Sequence, residues 1–261
     1  MAVDRIEAVR CRLCGTPASP APSLRPDEPR CTTDGPEDRA AAAAQQRFEA
    51  GRRLRWLLTT VRPATLLEAG PADGYFLEAA TTAGIPAAGI EISATATRFA
   101  REQLGQTVHH GSFETLAPHH RAHTVCAFHV LGHVENPRTF LHAVRTALSP
   151  GGWLALEVPN TAAAVRPVDG RWPTPTDTRD DHRWHFTPET LTRLLVQTGF
   201  RVISHDTVFS RFYQQPRARW RHVRKLLVED WLATGSPRLS HPHLGDLLRV
   251  FARHDGRALG R

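Results

Sequence analysis

Lysine, methionine, tyrosine and cysteine are all scarce in this chain. Of 261 residues, one is lysine (Lys225), one is methionine, two are tyrosine and four are cysteine. No apolar run approaches the roughly 18 residues that a membrane-crossing helix needs, so neither a membrane span nor a membrane partner is expected. The first residues include Asp4, Arg5, Glu7 and Arg10 where a secretion signal would be apolar, which makes a cytoplasmic location the expectation. In such a reducing compartment four cysteines do not make a disulfide scaffold. Cys126 lies in an apolar stretch and reads as a small buried hydrophobe. With 41% hydrophobic residues the chain is not disordered overall. Its length suits one α/β domain plus appendages.

The lack of lysine is matched by abundant arginine and alanine, a bias that GC-rich coding produces without functional cause. The net charge is +7, and residues 210–261 alone hold eleven Arg or Lys against four Asp or Glu. Two readings follow for this segment. It faces an anionic partner, such as RNA or an acidic substrate, or it is a solvated helical surface.

The stretch from Thr65 to Leu77 organises the rest. It begins as a short apolar strand, passes Gly70 and Gly74, and leaves as a helix. Glycines there permit a tight turn and bring bare backbone close to a ligand. Glu68 sits at the strand's carboxyl end, where open α/β sheets bind ligands. Seventeen residues beyond Gly74 comes Glu91, an acid suited to accept hydrogen bonds from both ribose hydroxyls.

A helix is expected over 37–61, stopped by Arg62-Pro63. Its apolar stripe is packing and also covers one edge of the cleft. From residue 64 strand and helix alternate, with strands at 64–69, 87–92, 107–111, 123–130, 152–158 and 200–208. Helices fall at 74–84, 93–104, 137–148 and 188–198. Repeated βα units imply a doubly wound, mostly parallel sheet. Residues 159–186 form a long excursion, of the kind that is functional or disordered in compact domains. Beyond 210 two helices are expected, near 217–233 and 242–253, with Arg211–Gln214 as the best candidate for a seventh strand. The expected organisation is therefore an N-terminal cysteine segment (1–36), a core (37–209) and a basic helical extension (210–261).

Cys11-Arg12-Leu13-Cys14-Gly15 has the spacing of a zinc knuckle, and Cys31 supplies a third thiolate. A fourth ligand is missing, with Asp34 a weak candidate, so the alternative is an unmetallated remnant.

Several motifs resemble class I S-adenosylmethionine-dependent methyltransferases, in the branch related to ubiquinone biosynthesis. Leu66-Leu67-Glu68-Ala69-Gly70-Pro71-Ala72-Asp73-Gly74 is similar to the first motif, with Ala72 replacing a glycine. Gly89-Ile90-Glu91-Ile92-Ser93 is similar to the second. Gly111-Ser112-Phe113-Glu114 resembles the third, with Ser112 where an acid is usual. The most specific match is Cys126–Pro137 followed by Leu148-Ser149-Pro150-Gly151-Gly152 and Glu157-Val158-Pro159-Asn160. The resemblance implies a Rossmann-like fold and an S-adenosylmethionine site. Glu68, Gly70, Ala72 and Gly74 would line its methionine end, and Glu91 its ribose. Ile92 and Phe113 would sandwich adenine with Ser112 nearby, and Phe128 and His129 would flank the sulfonium, where an aromatic face offers cation–π attraction.

Methyl transfer to a phenol, thiol, amine or carbanion precursor benefits from a base. Asp180-Asp181-His182 and the following His185-Phe186-Thr187 resemble a segment of antibiotic-sugar C-methyltransferases in which the histidine is the proposed base. Those enzymes also carry an N-terminal Cys-x-x-Cys zinc module. By this resemblance His182 is the candidate base and Asp181 its partner, the alternative being a histidine that only docks the loop. His133 matches a family position and is a second candidate, with helix capping as its structural alternative. His109, His110, His119 and His120 read as surface residues.

The expected function is methylation of a small-molecule acceptor in specialised metabolism, most readily at oxygen. The alternatives are methylation of a peptide or RNA held by the Arg-rich extension, and a binding protein without activity.

Overall fold

Strand and helix alternate because short β-branched and aliphatic runs are separated by capped amphipathic helices. The computed structural model describes residues 9–10, 17–18, 36–163, 182–208 and 245–254. Two short strands, β1 (Val9–Arg10) and β2 (Pro17–Ala18), pair antiparallel with each other. Helix α1 (Pro36–Thr60) follows, ending before Pro63. Then come β3 (Leu66–Ala69), α2 (Tyr75–Thr82), β4 (Ala87–Glu91), α3 (Ala94–Glu102), β5 (Val108–His110) and the single turn α4 (Phe113–Leu116). The second half holds β6 (Ala122–Phe128), α5 (Pro137–Ala147), β7 (Leu148–Pro159), α6 (Pro188–Gln197), β8 (Phe200–Val208) and β9 (Leu247–His254).

Seven strands make one sheet in the order β5-β4-β3-β6-β7-β9-β8. The pairs from β5 to β7 are parallel, and β9 runs antiparallel to both its neighbours. Helices cover both faces. Leu54 and Leu57 of α1, Phe76 and Leu77 of α2 and Ala100 of α3 pack with Cys126, Phe128, Ala155 and Phe251. On the other face Phe140, Leu141 and Val144 of α5 and Leu191, Leu194 and Leu195 of α6 pack with Val125, Leu154, Leu156 and Val250. Cys126 is fully buried, as its apolar surroundings predict.

The expected helix near 242–253 is a strand. Within Leu247-Leu248-Arg249-Val250-Phe251-Ala252-Arg253-His254 the two arginines stand four apart, which mimics the polar stripe of a helix. In a strand, however, Arg249, Phe251 and Arg253 share one face. There the arginines lie on indoles, Arg249 5.2 Å from the Trp56 ring and Arg253 4.9 Å from the Trp153 ring. Phe251 stacks on Trp56 at 4.2 Å. The strand is thus buried on both faces, a position that β-branched and aromatic residues favour. It supplies the seventh strand of the core sheet, so at least 247–254 belong to the core rather than to an extension. Arg211–Gln214 and the expected helix near 217–233 lie outside the described residues.

One further boundary differs. Ser149-Pro150-Gly151-Gly152, which precedes or opens the strand expected at 152–158, lies inside β7 as a bulge. Leu148 pairs with Ala122 and Trp153 with Thr124, and Gly151 takes φ 70°. Such bulges bend a strand at the rim of a sheet.

Candidate active site

Strand order reverses between β3 and β6, the place where open α/β sheets take their ligands, beyond the strands' carboxyl ends. Two unusual turns meet there. After β3 the chain passes Gly70 (φ 63°), Ala72 (φ 49°) and Gly74 (φ 89°), all left-handed. After β6, His129 is also left-handed (φ 58°). Non-glycine residues in this region cost about 1–2 kcal/mol each. The turns touch, since a Cβ on Gly70 would stand 2.7 Å from Cγ2 of Val130.

Glu91, at the end of β4, holds the first turn. Its Oε2 accepts from the Ala72 N–H at 2.9 Å and its Oε1 from the Ser93 N–H at 2.8 Å. Glu91 therefore closes the glycine turn as well as standing where a ribose is expected. Each carboxylate oxygen keeps capacity for a second donor. Ile92 beside it is 38% exposed, open to a flat ligand.

Glu68 is 3% exposed, and its Oε2 is buried with no hydrogen-bond partner among the described residues. Burial pushes its pKa up to about 8, against the attraction of Arg53 and with the repulsion of Glu91. A buried acid without a partner at the ligand-binding end of the sheet fits a cationic ligand group. With the left-handed turn and Glu91, it makes a cradle suited to S-adenosylmethionine.

Other expected contacts have different surroundings. Phe113 is 6% exposed and packs on Phe140 at 5.2 Å, within the core. The Ser112 hydroxyl caps α4, accepting from the Thr115 N–H. Phe128 has Phe76 edge-on at 4.7 Å and the Arg53 guanidinium over its face at 4.9 Å, so one face already holds a cation.

His182 lies on the turn after β6. Its ring is 4.1 Å from that of His133, and its Nε2 is buried. Gly132 leaves the space, because a Cβ there would stand 2.6 Å from the His182 ring. The N–H groups of Arg183 and Trp184 both donate to the Gly132 carbonyl, and Trp184 Nε1 donates to the Val134 carbonyl. These are docking contacts for the end of the 159–186 excursion. The cap of α5 is Asn136, not His133. Asp181, Cys11, Cys14 and Cys31 lie outside the described residues, and among those described no group of three His, Cys, Asp or Glu is placed to hold a metal.

The group that sequence reasoning missed centres on Glu157, 1% exposed on β7. Its Oε1 accepts from Arg53 of α1, Nε at 2.9 Å and Nη2 at 2.7 Å. Its Oε2 accepts from Arg249 of β9, Nε at 2.7 Å and Nη2 at 2.6 Å. His129 Nε2 lies 3.2 Å from Oε1, and the His129 N–H donates to the Glu157 carbonyl at 2.8 Å. Burial would raise the Glu157 carboxyl, but Arg53, His129 and Arg249 outweigh it and hold it well below the usual range. The only trace in sequence was Glu157 within the Glu-Val-Pro-Asn motif.

Residues 41–205 match a family described as a methyltransferase domain. The chain belongs to that family. It is a class I S-adenosylmethionine-dependent methyltransferase, and therefore an enzyme that binds S-adenosylmethionine. None of the curated proteins compared with this methyltransferase matches it. Solved structures share its fold. A methyltransferase from Archaeoglobus fulgidus superposes with TM-score 0.57 at 17% identity, covering 80% of this chain and 94% of that one. One from Mesorhizobium loti gives 0.53 at 19%, covering 80% and 97%. The glycopeptide N-methyltransferase MtfA, complexed with S-adenosylmethionine, gives 0.53 at 19%, covering 78% and 92%. Among the described residues no helix of the methyltransferase is long and apolar enough to cross a membrane.

Proposed function

We propose that this methyltransferase transfers the methyl group to a small-molecule acceptor of specialised metabolism, with oxygen the favoured atom. The observation that carries the reading is the meeting of the Gly70–Gly74 turn with the His129 turn at the sheet's switch point, closed on one side by Glu91. In this reading Glu68, Gly70, Ala72 and Gly74 hold the methionine end and Glu91 the ribose. Ile92 offers its exposed side chain to adenine, and Ser112 and Phe113 shape that end from behind. Phe128 and His129 stand toward the reacting centre. S-adenosylmethionine, when bound, supplies an electrophilic methyl group, and the chain's residues orient it and exclude water.

Calorimetry with S-adenosylhomocysteine tests the assignment. Micromolar binding is expected. Glu91→Ala should weaken it about tenfold to a hundredfold through the lost charged hydrogen bonds and the loosened turn. Folded protein that does not bind would overturn the reading.

A second reading, methylation of a peptide or an anionic polymer, draws on the position of the basic segment's roots. Val208 and Gly245, which flank residues 209–244, lie together, with Gly245 N donating to Thr207 Oγ1 at 3.1 Å. Asn160, at the end of β7, donates from Nδ2 to the Gly245 carbonyl at 2.9 Å. The segment therefore leaves from the sheet's ligand-binding end. MtfA acts on a glycopeptide. Neutralising Arg217, Arg219, Arg221 and Arg224 separates the readings, because only the second expects lost affinity for peptide or RNA.

A structural zinc ion on Cys11, Cys14 and Cys31 remains part of the proposal. It is supported by the β1–β2 pairing that brackets Cys11 and Cys14. Purified wild type should carry about one zinc per chain by metal analysis, and Cys14→Ser none.

A further inference from the structure

The polar group on Glu157 points to a specific part in the reaction. Glu157 is the most buried member, and Arg53 and Arg249 fix both of its oxygens. Its third neighbour, His129, is different in kind. The His129 side chain is 37% exposed, at the carboxyl end of β6 and directly before Val130, which packs on Gly70. A left-handed backbone at a non-glycine residue persists only where the surroundings over-determine it. Here the N–H bond to the Glu157 carbonyl and the ring contact to the Glu157 carboxylate do so together.

A carboxylate only accepts hydrogen bonds, so Nε2 of His129 carries the hydrogen. In the neutral ring Nδ1 then holds the lone pair, and Nδ1 makes no hydrogen bond among the described residues. A histidine fixed at one nitrogen by a buried acid and open at the other is the arrangement of a general base with its orienting partner. His182 offers less for this task, with Nε2 buried and the ring packed at a tilt against that of His133.

We propose that His129 Nδ1 takes the proton of the methyl acceptor, with Glu157 as the positioning residue that fixes its tautomer and steadies the imidazolium. The inference rests on the methyltransferase reading of the same crevice. The acceptor is accordingly a group that carries a proton to lose, a hydroxyl or a protonated nitrogen. Its O–H or N–H bond breaks, and the proton passes to Nδ1. The freed pair forms the bond to the methyl carbon as the carbon–sulfur pair returns to sulfur. The imidazolium then yields its proton to solvent.

The test has two arms. Nitrogen-15 spectra of histidine-labelled enzyme bound to S-adenosylhomocysteine, assigned with His129→Asn, are expected to show the neutral His129 ring as the Nε2–H tautomer. Asparagine tolerates the left-handed backbone. For an acceptor found by screening phenols, alcohols and amines for S-adenosylhomocysteine release, His129→Asn should lower kcat about 10²–10⁴-fold. Its KM for S-adenosylmethionine should stay within about threefold, since only a base that acts in the transition state separates the two. A purely structural role would instead lower kcat, cofactor affinity and Tm together. An Nδ1–H tautomer, or undiminished kcat in His129→Asn, would overturn the proposal. The tautomer result needs no acceptor. Failure to bind S-adenosylhomocysteine would instead overturn the methyltransferase reading, so the two failures are distinguishable.

Discussion

A chain cut after Asp246 is expected not to fold. The cut removes β9, which lies between β7 and β8 and pairs with both along its length. Leu247, Leu248, Val250 and Phe251 are all at most 6% exposed. At about 2 kcal/mol for each large apolar side chain, their loss removes about 8 kcal/mol. That is comparable to the whole stability of a typical domain, about 5–15 kcal/mol. The cut also leaves the Glu157 carboxylate without Arg249 and exposes the edges of two long strands. Circular dichroism and urea unfolding of the truncated chain would decide it, and a cooperative transition near that of the full chain would refute the expectation. Removal of residues 210–261 is for this reason no test of what the basic segment binds. Substitution within 209–244 leaves the sheet intact and is the informative experiment.

Glu68→Gln should abolish most of the pH dependence of stability between about pH 5 and 8. Burial moves the carboxyl from its ordinary 4.5 to about 8 in the folded chain. Glu68 therefore stabilises the fold in its protonated form. That contribution is complete below about pH 4.5, the unfolded value, and is lost as pH climbs through about 8. The full excursion is worth about 5 kcal/mol. Glutamine keeps the neutral shape at every pH, so its urea midpoint should stay nearly level where that of wild type falls. Parallel curves for the two proteins would sink the idea.

In the proposed site the same group is expected to couple to the cofactor. A cation entering the crevice favours the ionised acid. Binding of S-adenosylmethionine near pH 7 should therefore release close to one proton, read by calorimetry in buffers of different ionisation heat. Glu68→Gln should release none.

The strand, turn and helix at the candidate site were legible because their determinants are local in sequence. A strand, a glycine turn and a helix follow one another within Thr65–Leu77, and Glu91 ends the next strand. These patterns depend on backbone conformations that few residue types permit. The Glu157 group was not legible, because Arg53, Glu157 and Arg249 come together only when α1, β7 and β9 assemble. The Arg249–Glu157 pair spans 92 residues of sequence. β9 was misread for a related reason. Arg249 is buried against Glu157 and Trp56 and Arg253 is half-buried on Trp153, partners from elsewhere in the chain, so local hydropathy gave the wrong period. Phe113 fits a family position, yet its packing on Phe140 depends on where α5 docks.

Ala72 and His129 give the crevice a further property. Both hold left-handed backbone without being glycine, one in each of the two turns that meet where the ligand is expected. Together they place a load of about 2–4 kcal/mol on a domain of ordinary margin. Residues that relax such strain are easy for evolution or an engineer to find, and they commonly stabilise. At Ala72 glycine would relieve the backbone while leaving the N–H that Glu91 accepts. At His129 glycine would give the same relief but remove the imidazole. Thermal robustness and turnover are thus tied at one of these positions and separable at the other, and selection for heat resistance alone would be expected to erode the enzyme at His129.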